Sequence, residues 1–135
     1  MVYLLDTSAF SDLMHGDTQT MTHVNAVGPT DDVVICAIVR GELLFGIKRL
    51  DDGARKSKLR DVAANLFEVI PCESIPSEAG TRYAAVKLNC QRSGLAVDEN
   101  DLWIAATALA LGATLVSRDS DFRRIDGLLL QDWSR

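Results

Sequence analysis

The chain has 135 residues, 47% of them apolar and 24% charged, with only three prolines, which excludes a disordered or fibrous protein and fits one domain spanning residues 1–135. Nineteen acidic residues against fourteen Lys and Arg give a net charge of -5, a weak argument against a nucleic-acid binder held by its overall field. No apolar run approaches the roughly 20 residues of a membrane span, no basic and apolar leader precedes Val2, and three cysteines without C-x-x-C spacing suggest neither a disulfide framework nor a zinc clip. The expectation is a cytoplasmic protein with reduced, mostly buried thiols and no membrane contact.

In chain order, Val2–Leu5 is a short apolar run ended by Asp6-Thr7-Ser8, the pattern of a buried parallel strand feeding a helix. Residues 33–36 repeat it. From Ile38 to Leu50, Val39, Leu43, Ile47 and Leu50 form the stripe of an amphipathic helix, which Asp51-Asp52-Gly53 ends. Residues 54–66 carry a second stripe, with a strand predicted over residues 67–70 and a turn at Pro71. A third helix is predicted from Ser77 to Arg92. Beyond it, Asp98 is placed to cap an Ala-rich helix that runs to Leu111 and stops at Gly112. Residues 114–117 read as a buried strand, 119–124 as a turn or short helix, and 128–130 as a final strand. Strands alternating with helices imply an α/β fold with a central, mostly parallel sheet flanked by helices.

In open parallel sheets, ligand sites form beyond the carboxyl ends of the strands. Asp6 falls directly after the first predicted strand, Asp119 just past Ser117-Arg118 at the end of the later one, Asp101 in the first turn of the Ala-rich helix, and Glu42 one turn into the helix after the second strand. Each has an ordinary alternative as a helix cap, a dipole partner, a border residue or a turn former. Together, four converging carboxylates would repel one another and hold each other protonated unless a cation sits among them. Oxygen ligands without a thiolate or histidine pair favour Mg²⁺ or Mn²⁺. Two such ions roughly 3.5–4 Å apart can activate a water and stabilise the leaving oxygen of an in-line displacement at phosphorus.

Four segments carry a resemblance: Leu4-Leu5-Asp6-Thr7-Ser8-Ala9-Phe10, Arg40-Gly41-Glu42-Leu43-Leu44-Phe45-Gly46-Ile47, Asn100-Asp101-Leu102-Trp103-Ile104-Ala105-Ala106 and Leu115-Val116-Ser117-Arg118-Asp119-Ser120-Asp121-Phe122. In order and across essentially the whole chain, they resemble the successive motifs of the PIN domain and, more narrowly, of the VapC toxins of bacterial type II toxin-antitoxin pairs. The resemblance implies a Mg²⁺- or Mn²⁺-dependent endoribonuclease with Asp6, Glu42, Asp101 and Asp119 as its acidic site, Asp121 as a secondary ligand, and Thr7 and Ser117 lining it. It also implies a homodimer and a tight complex with a VapB-like antitoxin, through which operator DNA is bound. Asp98 and Glu99 are further acids that the motifs leave unassigned.

Charge is unevenly spread. Residues 1–39 hold five acids and no Lys or Arg, whereas residues 40–92 hold ten bases against seven acids, a net of +3. That basic stretch is suited to gripping RNA phosphates, with Arg40 and Arg118, each within two residues of a proposed metal ligand, as the favoured positions. An ordinary solvated helical face is the plain alternative. Trp103 and Trp133 are candidates for stacking on bases, but Trp103, beside Ile104-Ala105, is expected instead to pack in the core or a dimer interface. Two rivals remain. A haloacid-dehalogenase-type phosphatase wants a second Asp two residues after the first, where Ser8 stands; an inactive interaction module, or a housekeeping PIN nuclease, shares the fold.

Overall fold

The structure, a computed structural model, describes residues 1–135. It begins with strand β1 (Val2–Leu5), helices α1 (Thr7–Met14) and α2 (Thr18–Ala26), strand β2 (Asp32–Cys36) and helices α3 (Ala37–Lys48) and α4 (Ala54–Val69). The second half holds β3 (Cys72–Glu73), α5 (Glu78–Arg92), α6 (Glu99–Leu111), β4 (Thr114–Val116), a 3-10 turn (Ser120–Arg124) and β5 (Leu129–Gln131). The five strands form one parallel sheet in the order β3-β2-β1-β4-β5. The chain starts in the middle, winds one way through β2 and β3, then returns to the other side for β4 and β5. The strand order therefore reverses between β1 and β4, and the carboxyl ends of those two strands are where such sheets form their ligand crevice.

Leu4, Leu5, Val34, Ile35, Cys36, Leu115 and Val116 are fully buried. This is why the strands read as unbroken apolar runs: helices cover both faces of a parallel sheet. Register follows Tyr3 beside Thr114 and Leu5 beside Val116, and the Asp6 N–H donates to the Val116 carbonyl at 3.0 Å, extending the ladder one residue. Helix α6 is buried along Ile104, Ala105, Ala106, Thr107 and Ala108, where small side chains allow close approach. Its end is set by Gly112 at φ 63°, a left-handed position that favours glycine.

The structure corrects the strand expected over residues 67–70. Helix α4 runs on to Val69, with the Ile70 N–H still donating to the Leu66 carbonyl at 2.8 Å, and the edge strand begins only after Pro71. Extending an existing helix adds a bond per residue fixed, and Phe67 then lies against Phe10 with ring centroids 5.2 Å apart. Helix α2, with its polar, β-branched sequence, has no apolar stripe. It is tied down by Asp17, which accepts from the Thr20 N–H and hydroxyl at 2.9 and 2.7 Å, and by His23, which stacks on Trp133 at 5.5 Å. Trp133 is thus a core residue. Of the cysteines, Cys36 and Cys90 are buried and Cys72 is exposed. No helix is long and apolar enough to cross a membrane.

Phe10 is fully buried in the main core, and truncating an aromatic there removes both transfer energy and packing. Phe10→Ala is expected to cost about 3–5 kcal/mol, a large share of a domain's marginal stability. Urea denaturation of the variant and parent checks it.

Candidate active site

Asp6 follows β1 and caps α1: its Oδ1 accepts from the Ala9 N–H at 2.8 Å, and the Ser8 hydroxyl donates to both carboxylate oxygens at 2.8 and 3.0 Å. It is 4% exposed. Burial pushes its carboxyl above the usual carboxylate range. The Ser117 hydroxyl, the Ala9 N–H and the Ser8 hydroxyl oppose that shift, and the charge of Asp119 adds to it. Capping, the ordinary alternative for Asp6, is therefore present, yet the same side chain sits at the crevice facing another acid.

Glu42 is reached from α1: the Thr7 hydroxyl donates to its Oε1 at 2.7 Å, joining the residue after Asp6 to the first turns of α3. Asp119 stands at the end of the segment leaving β4. Its N–H donates to the Ser117 hydroxyl at 3.0 Å and its Oδ1 accepts from the Asp121 N–H at 2.9 Å, so it caps the 3-10 turn. Asp101 lies in the first turn of α6, half-buried. Its carboxyl is pushed up to about 7, first by burial and then by the charges of Asp98, Glu42, Asp119 and Asp6. The four acids singled out by their places in the sequence thus act on one another in a single crevice.

No three His, Cys, Asp or Glu side chains close on a common point as a preformed ion cage; the acids meet through charge rather than touch. The donor set still fits a hard divalent cation. It offers only carboxylates and hydroxyls, and its electrostatic conflict is of the kind that positive charge relieves. Mg²⁺ in particular is commonly held through one or two carboxylates and keeps several waters, so it needs no all-protein cage.

The neighbouring acids separate by role. Asp121 is exposed and meets the others through its N–H on Asp119. Asp98 occupies the N-cap position of α6 without a side-chain cap bond, and instead supplies the largest neighbouring charge acting on Asp101, a role its sequence position does not reveal. Glu99 accepts from the Tyr83 hydroxyl and pairs with Lys87 at 3.3 Å, beside a Tyr83–Trp103 stack with centroids 3.9 Å apart. Glu99 and Trp103 therefore fasten α6 to α5. Arg40 and Arg118 both have partners: the Arg40 guanidinium lies 4.2 Å over the Phe67 ring, and Arg118 pairs with Asp12 at 3.2 Å. Ser8, which holds Asp6 in place, is a participant that sequence reasoning misses; its spacing in a helix-capping Asp-x-Ser is the signal that could have found it.

The PIN domain family model matches residues 3–128. Ribonuclease VapC1 of Haemophilus influenzae is 31% identical over 100% of both chains, and ribonuclease VapC2 of Rickettsia felis is 26% identical, also over 100% of both. Among solved structures, VapBC-1 from nontypeable Haemophilus influenzae superposes with a TM-score of 0.88 at 28% identity over 100% of both chains. VapBC2 from Rickettsia felis, bound to a DNA fragment from their promoter, superposes with a TM-score of 0.90 at 23% identity, covering 98% of this chain and 99% of that one.

Proposed function

The chain belongs to the PIN domain family and, within it, to the VapC group, and from that membership we propose that it is a metal-dependent endoribonuclease acting in the cytoplasm as the toxin of a type II toxin-antitoxin pair. One observation carries the catalytic part. Asp101 is pushed up to about 7 by burial and by four other carboxylates, among them Asp6, Glu42 and Asp119, in the crevice where the sheet order reverses.

Asp6, Glu42, Asp101 and Asp119 would hold Mg²⁺ or Mn²⁺, with Asp121 as a secondary ligand. When bound, such an ion polarises the phosphodiester and lowers the pKa of a water for in-line attack. The chain's own contribution is positioning. Ser8 and the Ala9 N–H fix the Asp6 carboxylate, Thr7 fixes Glu42, and Ser117 fixes the backbone at Asp119. Asp101 retains a proton in part of the population near neutral pH, and a cation would displace it.

The relatives are named as ribonucleases and as members of VapBC assemblies, one of them bound to a promoter DNA fragment, which supports RNA as substrate and a VapB-like antitoxin as partner, with operator DNA engaged through that antitoxin. Pairing of the toxin as a homodimer is part of the same proposal and rests on the family resemblance alone. Expression of this chain alone is expected to arrest growth, and co-expression of the small protein encoded beside it to relieve the arrest. Growth curves with and without that partner check it; unimpeded growth on expression of the soluble chain would favour an interaction module or a housekeeping nuclease.

A further inference from the structure

A cleft of about 290 Å³ opens beside the acidic site, between α1, α3 and the start of α4. Thr7 and Glu42, already joined by a hydrogen bond, line one part of it, and Arg49 and Arg55 are also in its wall. Neither arginine has a salt-bridge partner or a side-chain hydrogen bond, whereas the nearby Lys56 is taken by Asp52 at 3.2 Å and by the Lys48 carbonyl at 3.0 Å. The lining also includes the apolar Leu43, Ile47 and Leu59. Gly46 lies on the same wall, within α3, and a Cβ built there meets nothing within 4 Å. Glycine inside a helix costs about 1 kcal/mol relative to alanine, and here it leaves the wall open.

We propose that this cleft seats the single-stranded RNA next to the scissile bond, with backbone phosphates on Arg49 and Arg55 and a nucleobase against the apolar wall at Gly46. The inference rests on the nuclease reading and names how that site holds its substrate. Two unpaired guanidiniums suit bidentate binding of phosphate, while apolar lining in the same cleft accepts a base without reading its sequence. The cleft also shares Glu42 with the acidic site, so a strand lying in it leads into the crevice. Glu42 and Arg49 are seven residues apart on α3, about 10 Å along the helix axis, or about three nucleotides of a stacked strand at a rise of roughly 3.4 Å. Substrates shorter than that on the relevant side would gain nothing from the arginines.

The test combines Arg49→Gln with Arg55→Gln, and separately introduces Gly46→Leu, which fills the cleft, keeps the charge and improves helix propensity. Arg92→Ala, on α5, is the control for loss of a positive charge elsewhere. Binding of a random-sequence single-stranded RNA oligonucleotide is measured in an Asp6→Asn background, which does not cut it, and cleavage in the otherwise unaltered protein. The double variant is expected to raise Kd and KM about 10- to 100-fold with kcat retained, and to flatten the slope of log affinity against log salt by about 0.7 for each phosphate no longer neutralised. Gly46→Leu is expected to raise Kd and KM with the salt slope unchanged. Wild-type RNA affinity and KM in both variants would overturn the cleft; so would retained RNA binding with loss of antitoxin binding, which would assign the cleft to the protein partner. A parent protein that neither binds nor cleaves RNA would instead overturn the nuclease reading beneath it.

Discussion

Replacing Asp101 with asparagine is expected to stabilise the ion-free protein at pH 8 while abolishing RNA cleavage. The carboxyl is pushed up to about 7 in the folded chain against about 3.9 in an unfolded one. Below about pH 4 both states hold the proton and the residue contributes nothing. Between about pH 4 and 7 the folded state binds more protons than the unfolded state, so stability falls as pH rises, reaching its full penalty above about 7. The whole shift corresponds to about 4 kcal/mol. Solvent screening at a half-buried site reduces that to about 1–3 kcal/mol. Asparagine keeps the shape and removes the penalty, so thermal midpoints of parent and variant should converge near pH 4 and separate at pH 8, with the variant higher. Saturating Mn²⁺ should raise the parent's midpoint, as any ligand of the folded state does, and the variant's much less. A variant no more stable than the parent at pH 8 would mean that burial and the neighbouring acids together do not penalise the charged Asp101 carboxylate as its position indicates.

Asp6→Asn is expected to lower RNA cleavage on the order of 10³-fold or more, the scale on which loss of a directly acting electrostatic group registers, while leaving the fold intact. The choice of asparagine matters. Asp6 both faces the crevice and caps α1 through the Ala9 N–H, and asparagine is as good a cap as aspartate. The substitution therefore separates the charge from the cap, which Asp6→Ala would not, since losing the cap costs about 1 kcal/mol. Circular dichroism and the thermal midpoint report the fold, and cleavage rates at saturating Mn²⁺ report the chemistry. Loss of activity accompanied by unfolding would assign Asp6 to structure alone.

Much of the fold and of the acidic site is legible in the sequence, for physical reasons. Strands buried on both faces must be apolar throughout, so Leu4-Leu5 and Val34-Ile35-Cys36 stand out, and Asp6-Thr7-Ser8 directly after the first of them marks a carboxyl end, where a parallel sheet places its ligands. The acids at those ends are the ones whose charges meet in the crevice. Helix α2 is not legible because it has no apolar stripe: its one fully buried residue is Thr20, and its order comes from the Asp17 cap and from Trp133, more than a hundred residues away. The strand expected over residues 67–70 fails because Phe67 and Ile70 also continue the stripe of α4, while Val69 is left exposed. Arg40 and Arg118 stand out for RNA only by nearness in sequence to the acids. Sequence distance does not disclose that one guanidinium lies over an aromatic ring and the other pairs with Asp12, nor that Arg49 and Arg55 share a cleft with Glu42.

The whole-chain charge of -5 is an average over two unlike parts: an acidic crevice suited to divalent cations, and a basic stretch on α3 and α4 that includes the unpaired arginines. On the proposed reading, what looks like an argument against nucleic acid is, in part, the site itself.

Whether these carboxylates cut RNA with a divalent cation is decided by incubating purified protein with total RNA from a bacterium, with Mn²⁺ or Mg²⁺ and in parallel with excess chelator, and mapping the new RNA ends, with the Asp6→Asn protein as control. Discrete internal cleavage sites that require the cation and disappear in the control are expected. Cleavage that persists in chelator, or that is undiminished in Asp6→Asn, would overturn the assignment of the acidic crevice as a metal-dependent nuclease site.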